Sequence, residues 1–200
     1  MQRSRLFWRG LNALALVFLL GFIWFRWGSA WLNTQLAADF GEGDYHLTTT
    51  TGAPFTEATL SGAPSAVFFG FSHCPDVCPT TLGEISVWQE ELGTDANRLR
   101  IFFVTVDPER DTADLLKDYV GWLPNAVGVT GSRAEIDNAI AAFRIFARKV
   151  PLSDGSYTMD HSAYVLLFDE QGRFFEPIGY QEDPVRAIAK LRRLLAKDAG

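Results

Sequence analysis

The apolar positions of this 200-residue chain fall into an alternation of strand and helix patterns. Ser65 to Phe71 is a nearly continuous apolar run, the pattern of a strand covered on both faces. Pro79 to Leu92 places Leu82, Ile85 and Trp88 on one side and Glu84, Glu90 and Glu91 on the other. This predicts an amphipathic helix ending at Gly93. Leu99 to Val106 is a second buried strand, closed by Asp107-Pro108. Asp111-Thr112 caps a helix that carries Leu115, Leu116, Tyr119 and Val120 and stops at Gly121. Ala126 to Val129 is a short strand, and Ser132-Arg133-Ala134-Glu135 is a capping box for a helix through Phe143.

Two hairpins follow. Ile145 to Val150 and Tyr157 to Met159 flank a turn containing Gly155, and Ser162 to Phe168 and Arg173 to Ile178 flank Glu170-Gln171-Gly172. Asp183-Pro184 opens a last amphipathic helix with Val185, Ile188, Leu191, Leu194 and Leu195. Ahead of the core strand, Tyr45 to Thr49 alternates and predicts an edge strand. The order predicts an α/β sheet with antiparallel edges, laid out like a thioredoxin-type fold with an inserted β-hairpin.

The N-terminus reads differently. Leu11 to Phe25 carries no charge, lies between Arg9 and Arg26, and has Trp8, Trp24 and Trp27 around its ends. Residues 10–27 are therefore expected to be a transmembrane anchor, near the lower length limit for a span. A cleaved signal peptide, with Gly28-Ser29-Ala30 as its site, is the alternative. Three arginines precede the run and one follows, which puts residues 1–9 in the cytoplasm and the body in the periplasm. Residues 28–43 read as a tether, and residues 44–200 as the folded domain.

Charge adds one exclusion. The formal net charge is −6; residues 1–31 hold Arg3, Arg5, Arg9, Arg26 and no acid, so the body stands four units lower, at −10. An acidic body argues against a nucleic-acid partner.

The chemistry gathers at Phe68-Phe69-Gly70-Phe71-Ser72-His73-Cys74-Pro75-Asp76-Val77-Cys78-Pro79, which holds both cysteines of the chain. They sit at the carboxyl end of a core strand, where open α/β sheets carry their sites. The spacing is Cys-x-x-x-Cys. Were both in regular helix, their Cβ atoms would lie about 5–6 Å apart. A disulfide needs about 3.5–4.5 Å, whereas a metal with bonds of about 2.3 Å to each sulfur spans the larger gap easily. A stabilising disulfide, ordinary in an exported protein, remains the plain alternative.

Two thiolates favour Cu(I) or Zn(II), and an imidazole would extend the choice to Cu(II). Among the three histidines, His46 reads as a surface residue and His73 as a neighbour that influences Cys74, with metal ligation as its alternative. His161, placed by the pattern at the start of a buried strand, is the candidate third ligand. Asp107 would emerge at the same sheet edge, either behind the ligands or as a turn residue. Met159 reads as core.

Three stretches of this chain resemble the signatures of the Sco/SenC copper proteins. They are Gly70 to Pro79, Val106-Asp107-Pro108-Glu109-Arg110-Asp111-Thr112, and Asp160-His161-Ser162. The resemblance covers about residues 44–196. It departs where Gly62-Ala63-Pro64-Ser65 lacks a lysine and where Ser72 replaces a frequent threonine. It implies a thioredoxin-like domain binding one copper, as Cu(I) or Cu(II), through Cys74, Cys78 and His161, with Asp107 nearby. The implied role is that of a metallochaperone for the dinuclear copper centre of cytochrome c oxidase subunit II, held at the inner membrane. Another periplasmic copper chaperone or a thioredoxin-like reductant would be a further partner. A thiol–disulfide reductase keeping the oxidase cysteines reduced, through Cys74 and Cys78, is the alternative, and a peroxidase-like thiol enzyme stands behind it.

Overall fold

The computed structural model describes residues 14–28 and 40–197. Residues 1–9, the first positions of the expected anchor and most of the expected tether therefore lie outside the described residues. Residues 14–23 are helical and continue into a π-helical turn, Trp24–Gly28. Every side chain described there is exposed, from Leu14 to Phe25. Among the described residues, no helix is long and apolar enough to cross a membrane.

The second unit runs from Phe40. Its start is four residues earlier than the predicted 44, because Phe40 to Gly43 are part of the packed domain. The Phe40 ring stacks on Phe174 with centroids 4.6 Å apart, Gly41 N–H donates to the Ala142 carbonyl, and the Tyr45 hydroxyl donates to the Gly41 carbonyl. Gly41 takes a φ of +81°, and a Cβ there would sit 2.8 Å from Leu60 Cδ1, so only glycine fits the close passage.

Among its described residues, nine strands, four α-helices and two short 3-10 helices build this unit. The strands are β1 (Leu47–Thr49), β2 (Pro54–Phe55), β3 (Ser65–Gly70), β4 (Arg100–Thr105), β5 (Ala126–Thr130), β6 (Ala147–Pro151), β7 (Tyr157–His161), β8 (Val165–Phe168) and β9 (Phe174–Ile178). The helices are α1 (Val77–Leu92), α2 (Ala113–Val120), α3 (Arg133–Ala142) and α4 (Pro184–Lys197). Seven strands form one sheet in the order β2-β1-β5-β4-β3-β8-β9, and β6 and β7 pair apart from it as a hairpin. The central pairs β3–β4 and β4–β5 are parallel, while β8, β9, β1 and β2 run antiparallel to their neighbours. This is the predicted α/β sheet with an inserted hairpin. One expectation fails: β1 is not an edge, because the two-residue β2 pairs outside it.

β3 explains its own apolar run. All six of its residues are buried, and neighbours point to opposite faces. Phe68 packs on Phe103, whose ring meets Tyr119 of α2. Phe69 packs on Phe143 at the end of α3, beside Tyr45 and Phe168. Helices therefore cover both faces, and the sheet's carboxyl edge is left as the open rim.

The predicted caps are present in part. Ser132 accepts from Glu135 N–H, but the Glu135 carboxylate turns away from the cap and accepts from His46 N–H at 2.6 Å, tying α3 to the start of β1. Thr112, rather than Asp111, caps α2 by accepting from Leu115 N–H.

Candidate metal centre

The site begins where β3 ends. Gly70 is the last residue of the strand, and a Cβ on it would lie 2.8 Å from both Cys78 Sγ and Phe103 Cε2. Glycine is therefore what lets Cys78 pack directly on the sheet. Gly70→Ala is expected to push Cys78 outward and destabilise the fold by about 1–3 kcal/mol. Chemical denaturation would measure this, and an unchanged midpoint would contradict the contact.

After Gly70 the chain turns, with Cys74 N–H donating to the Phe71 carbonyl, and α1 starts at Val77. Cys74 thus precedes the helix and Cys78 lies in its first turn. The assumption that both cysteines are helical does not hold, and the spacing argument against a disulfide weakens with it. Pro79, also in the first turn, lacks an N–H where a helix has no use for one. The orphan Cys78 N–H of that turn points back at Cys74 Sγ, 3.4 Å away.

The third group arrives from the hairpin. His161 ends β7; it does not open the following strand, because β8 starts only at Val165. Its Nδ1 lies 2.8 Å from the Ser162 carbonyl. A carbonyl can only accept, so Nδ1 carries the hydrogen and Nε2 of the neutral ring keeps its lone pair. Nε2 faces Cys78 Sγ at 3.4 Å. Phe71 meets the imidazole edge-on, with centroids 5.7 Å apart, and Phe68 lies beneath at 6.3 Å. Cys74 Sγ, Cys78 Sγ and the ligand nitrogen of His161 all lie within 4.8 Å of one another. The three sequence candidates converge.

Electrostatics splits the two thiols. Cys78 is fully buried and Cys74 partly exposed, and neither is bonded to the other. A hydrogen bond from the Cys78 thiol pulls Cys74 down to about 3. Partial burial opposes this, and the N–H groups of Asp76 and Cys78 reinforce it. The same hydrogen bond, followed by burial, drives Cys78 far above the ordinary thiol range. The pair therefore holds one proton, on the inner sulfur, and one negative charge, on the outer. A depressed pKa leaves the thiolate populated throughout the range above it. Alkylation of the reduced protein at pH 5 is expected at Cys74 alone, with a rate nearly flat between pH 5 and 7. An ordinary thiol would lose about tenfold per unit over that range. Mass spectrometry of a maleimide time course would show this, and equal labelling of both cysteines would contradict it.

Asp107 reaches the hairpin from the same rim. It is fully buried, and its carboxylate is shared between the Arg110 guanidinium and the Tyr157 hydroxyl, the latter at 2.9 Å. Arg110 also donates to the Tyr157 carbonyl at 2.9 Å and lies 3.9 Å from that ring's centroid and 5.8 Å from Phe71's. Asp107 and Arg110 thus bolt the hairpin that delivers His161 onto the rim that carries the cysteines. Met159 is buried as expected, but it lines an open pocket of about 200 Å³ together with Phe71, Cys74 and His161. Asp111 is the residue that motif reading missed. It is fully buried and accepts from Ser72 N–H, the Ser72 hydroxyl at 2.5 Å and the Thr105 hydroxyl at 2.6 Å. Its place in the second signature marked it, but local capping chemistry pointed to α2 instead.

A thioredoxin-like domain that offers two cysteines and a histidine to one ion at its open rim is, by class, a candidate metal-binding protein. The SCO1/SenC family profile matches residues 33–196, and the chain belongs to that family. Protein SCO2, mitochondrial, of Saccharomyces cerevisiae is 36% identical over 156 residues, which are 75% of this chain and 51% of that protein. The chain spans about half the length of the curated relatives it matches first. Among solved structures, copper-bound ScoI of Bradyrhizobium japonicum is 43% identical, with a TM-score of 0.70 over 78% of this chain and 99% of the other. Copper-bound yeast Sco1 is 32% identical, with a TM-score of 0.71 over 79% and 89%.

Proposed function

We propose that the chain is a membrane-anchored copper metallochaperone serving the dinuclear copper centre of cytochrome c oxidase subunit II. The observation that carries this reading is the meeting of Cys74, Cys78 and His161 within 4.8 Å at a partly exposed rim. Relatives of the same fold have been solved with copper bound, which supports copper as the cargo. Two thiolates and one imidazole suit both Cu(I) and Cu(II), as a carrier that must receive and release the ion requires. The chain's own contributions are three. Cys74 offers a ready thiolate, Cys78 gives up its proton as the cargo arrives, and His161 presents an unprotonated Nε2 fixed by Ser162.

The anchor belongs to this proposal. Residues 14–25 carry only apolar side chains and Gly21, all exposed, a surface suited to lipid. The reading places residues 10–27 in the inner membrane, residues 1–9 in the cytoplasm and the domain from Phe40 in the periplasm.

Titration of the reduced full-length protein in detergent with Cu(I), under anaerobic conditions, tests the cargo. One tightly bound equivalent per chain is expected. Absence of binding would reject the chaperone and leave the reductase. A specific observation favours that second reading. Cys74 is a partly exposed thiolate with a buried thiol behind it, so it would attack a partner disulfide and be released by Cys78. The partner's two sulfurs would leave reduced and this pair oxidised.

A further inference from the structure

The resting ligand group leaves one imidazole at the rim without a task. His73 adjoins Cys74, and its side chain is 50% exposed. Its Nδ1 lies 2.9 Å from the Ser72 hydroxyl oxygen, which in turn lies 2.5 Å from the buried Asp111 carboxylate. The protons along this chain can be placed. Thr105 Oγ1 accepts from Asp107 N–H, so its own proton goes to Asp111. Ser72 N–H also goes to Asp111. With the carboxylate accepting throughout, the single hydroxyl proton of Ser72 is directed at it, and towards His73 the oxygen can only accept. Nδ1 of His73 therefore carries a hydrogen, and the lone pair of the neutral ring sits on Nε2, which has no hydrogen-bond partner among the described residues.

That is the arrangement by which proteins prepare a histidine for metal. One ring nitrogen is held by a polar partner backed by a carboxylate, and the other is left free. His161 is likewise held at Nδ1, by the Ser162 carbonyl and with no carboxylate behind it. The two differ in position, since His73 lies outside the group in which Cys74, Cys78 and His161 come together. It is instead the chain neighbour of Cys74, the ligand thiolate that is partly exposed, while Cys78 is buried. An ion passed from another protein by exchange of ligands must first be held from outside.

Resting on the copper reading above, we propose that His73, oriented by Asp111 through Ser72, is an outer copper ligand. It acts with Cys74 during capture and release and not in the resting complex. The departure of Ser72 from the family's frequent threonine is then harmless, because either residue supplies the hydroxyl.

The test is capture of Cu(I) by the full-length reduced protein in detergent from a chromogenic Cu(I)–chelator complex, followed by stopped-flow absorbance. Equilibrium affinity is measured in parallel. His73→Phe is expected to slow capture about tenfold, the lower end of what outer groups contribute at metal sites, with equilibrium affinity unchanged. Ser72→Ala should slow it in the same direction and less, and Ser72→Thr should keep the original rate. An unchanged capture rate in His73→Phe, with normal equilibrium binding, overturns this proposal alone. A loss of affinity equal to the loss of rate overturns it too, since His73 would then be a resting ligand. Failure of the unaltered protein to take up copper would overturn this proposal and the copper reading together.

Discussion

His161→Ala weakens Cu(II) binding by at least about a hundredfold and Cu(I) binding by less. The asymmetry follows from ligand chemistry. Two thiolates alone still satisfy Cu(I), whereas Cu(II) needs the imidazole nitrogen. Groups that merely hold a metal ligand contribute about 10–100-fold, and a direct ligand exceeds that. The variant should keep its fold, because the His161 ring is partly exposed and its contacts with Phe71 and Phe68 are edge contacts. A disulfide between Cys74 and Cys78 should still form on oxidation. Equilibrium competition for each copper ion, with thiol counting before and after oxidation, separates the outcomes. Unchanged Cu(II) affinity would remove His161 from the site, and with it the reason to prefer a carrier over a dithiol reductase.

Reading the chain as sequence located the sulfurs well and their support poorly, for a physical reason. Cys74, Cys78 and the strand before them announce themselves locally: an apolar run, a glycine, then paired thiols at a helix start. His161 was placed near them by motif order, yet on the wrong element, because Asp160-His161 looks like the start of a buried strand when it is the end of a hairpin. What motif reading could not supply were the partners. Asp111 looked like a helix cap because its sequence neighbours allow it, but the hydroxyl it holds belongs to Ser72, 39 residues away. Asp107 looked like a turn residue or a group near the metal, and its hydroxyl partner Tyr157 is 50 residues away. Local capping rules see only a few residues in either direction. The two-residue β2 was missed because alternation cannot show in so short a strand. Likewise Phe40 to Gly43 read as tether from their glycines, although those glycines are what allow the chain to pass close to Leu60 and Ala142.

The bolt on the hairpin yields the second large effect. Arg110→Met should cost about 3 kcal/mol of stability and lower the melting temperature by about 6–12 °C. Methionine fills much of the volume over Tyr157 and Phe71, so lost packing is a small part of this. The larger part is Asp107, fully buried, whose carboxylate would be left with the Tyr157 hydroxyl and no cation. The arginine is itself 24% exposed at its side chain, which keeps the expectation at the low end of the range for breaking a buried pair. Tyr157→Phe removes one charge-assisted hydrogen bond and should cost about half as much. Both changes loosen the strand that ends at His161, so both should lower Cu(II) affinity more than Cu(I), in the same sense as His161→Ala but by a smaller factor. Asp107→Asn combined with Arg110→Met removes the stranded charge and should recover part of the stability without restoring Cu(II) affinity. Recovery of both together would mean that the bolt serves only the fold. Recovery of stability alone places Asp107 and Arg110 where the geometry puts them, as the groups that bring the histidine to the sulfurs.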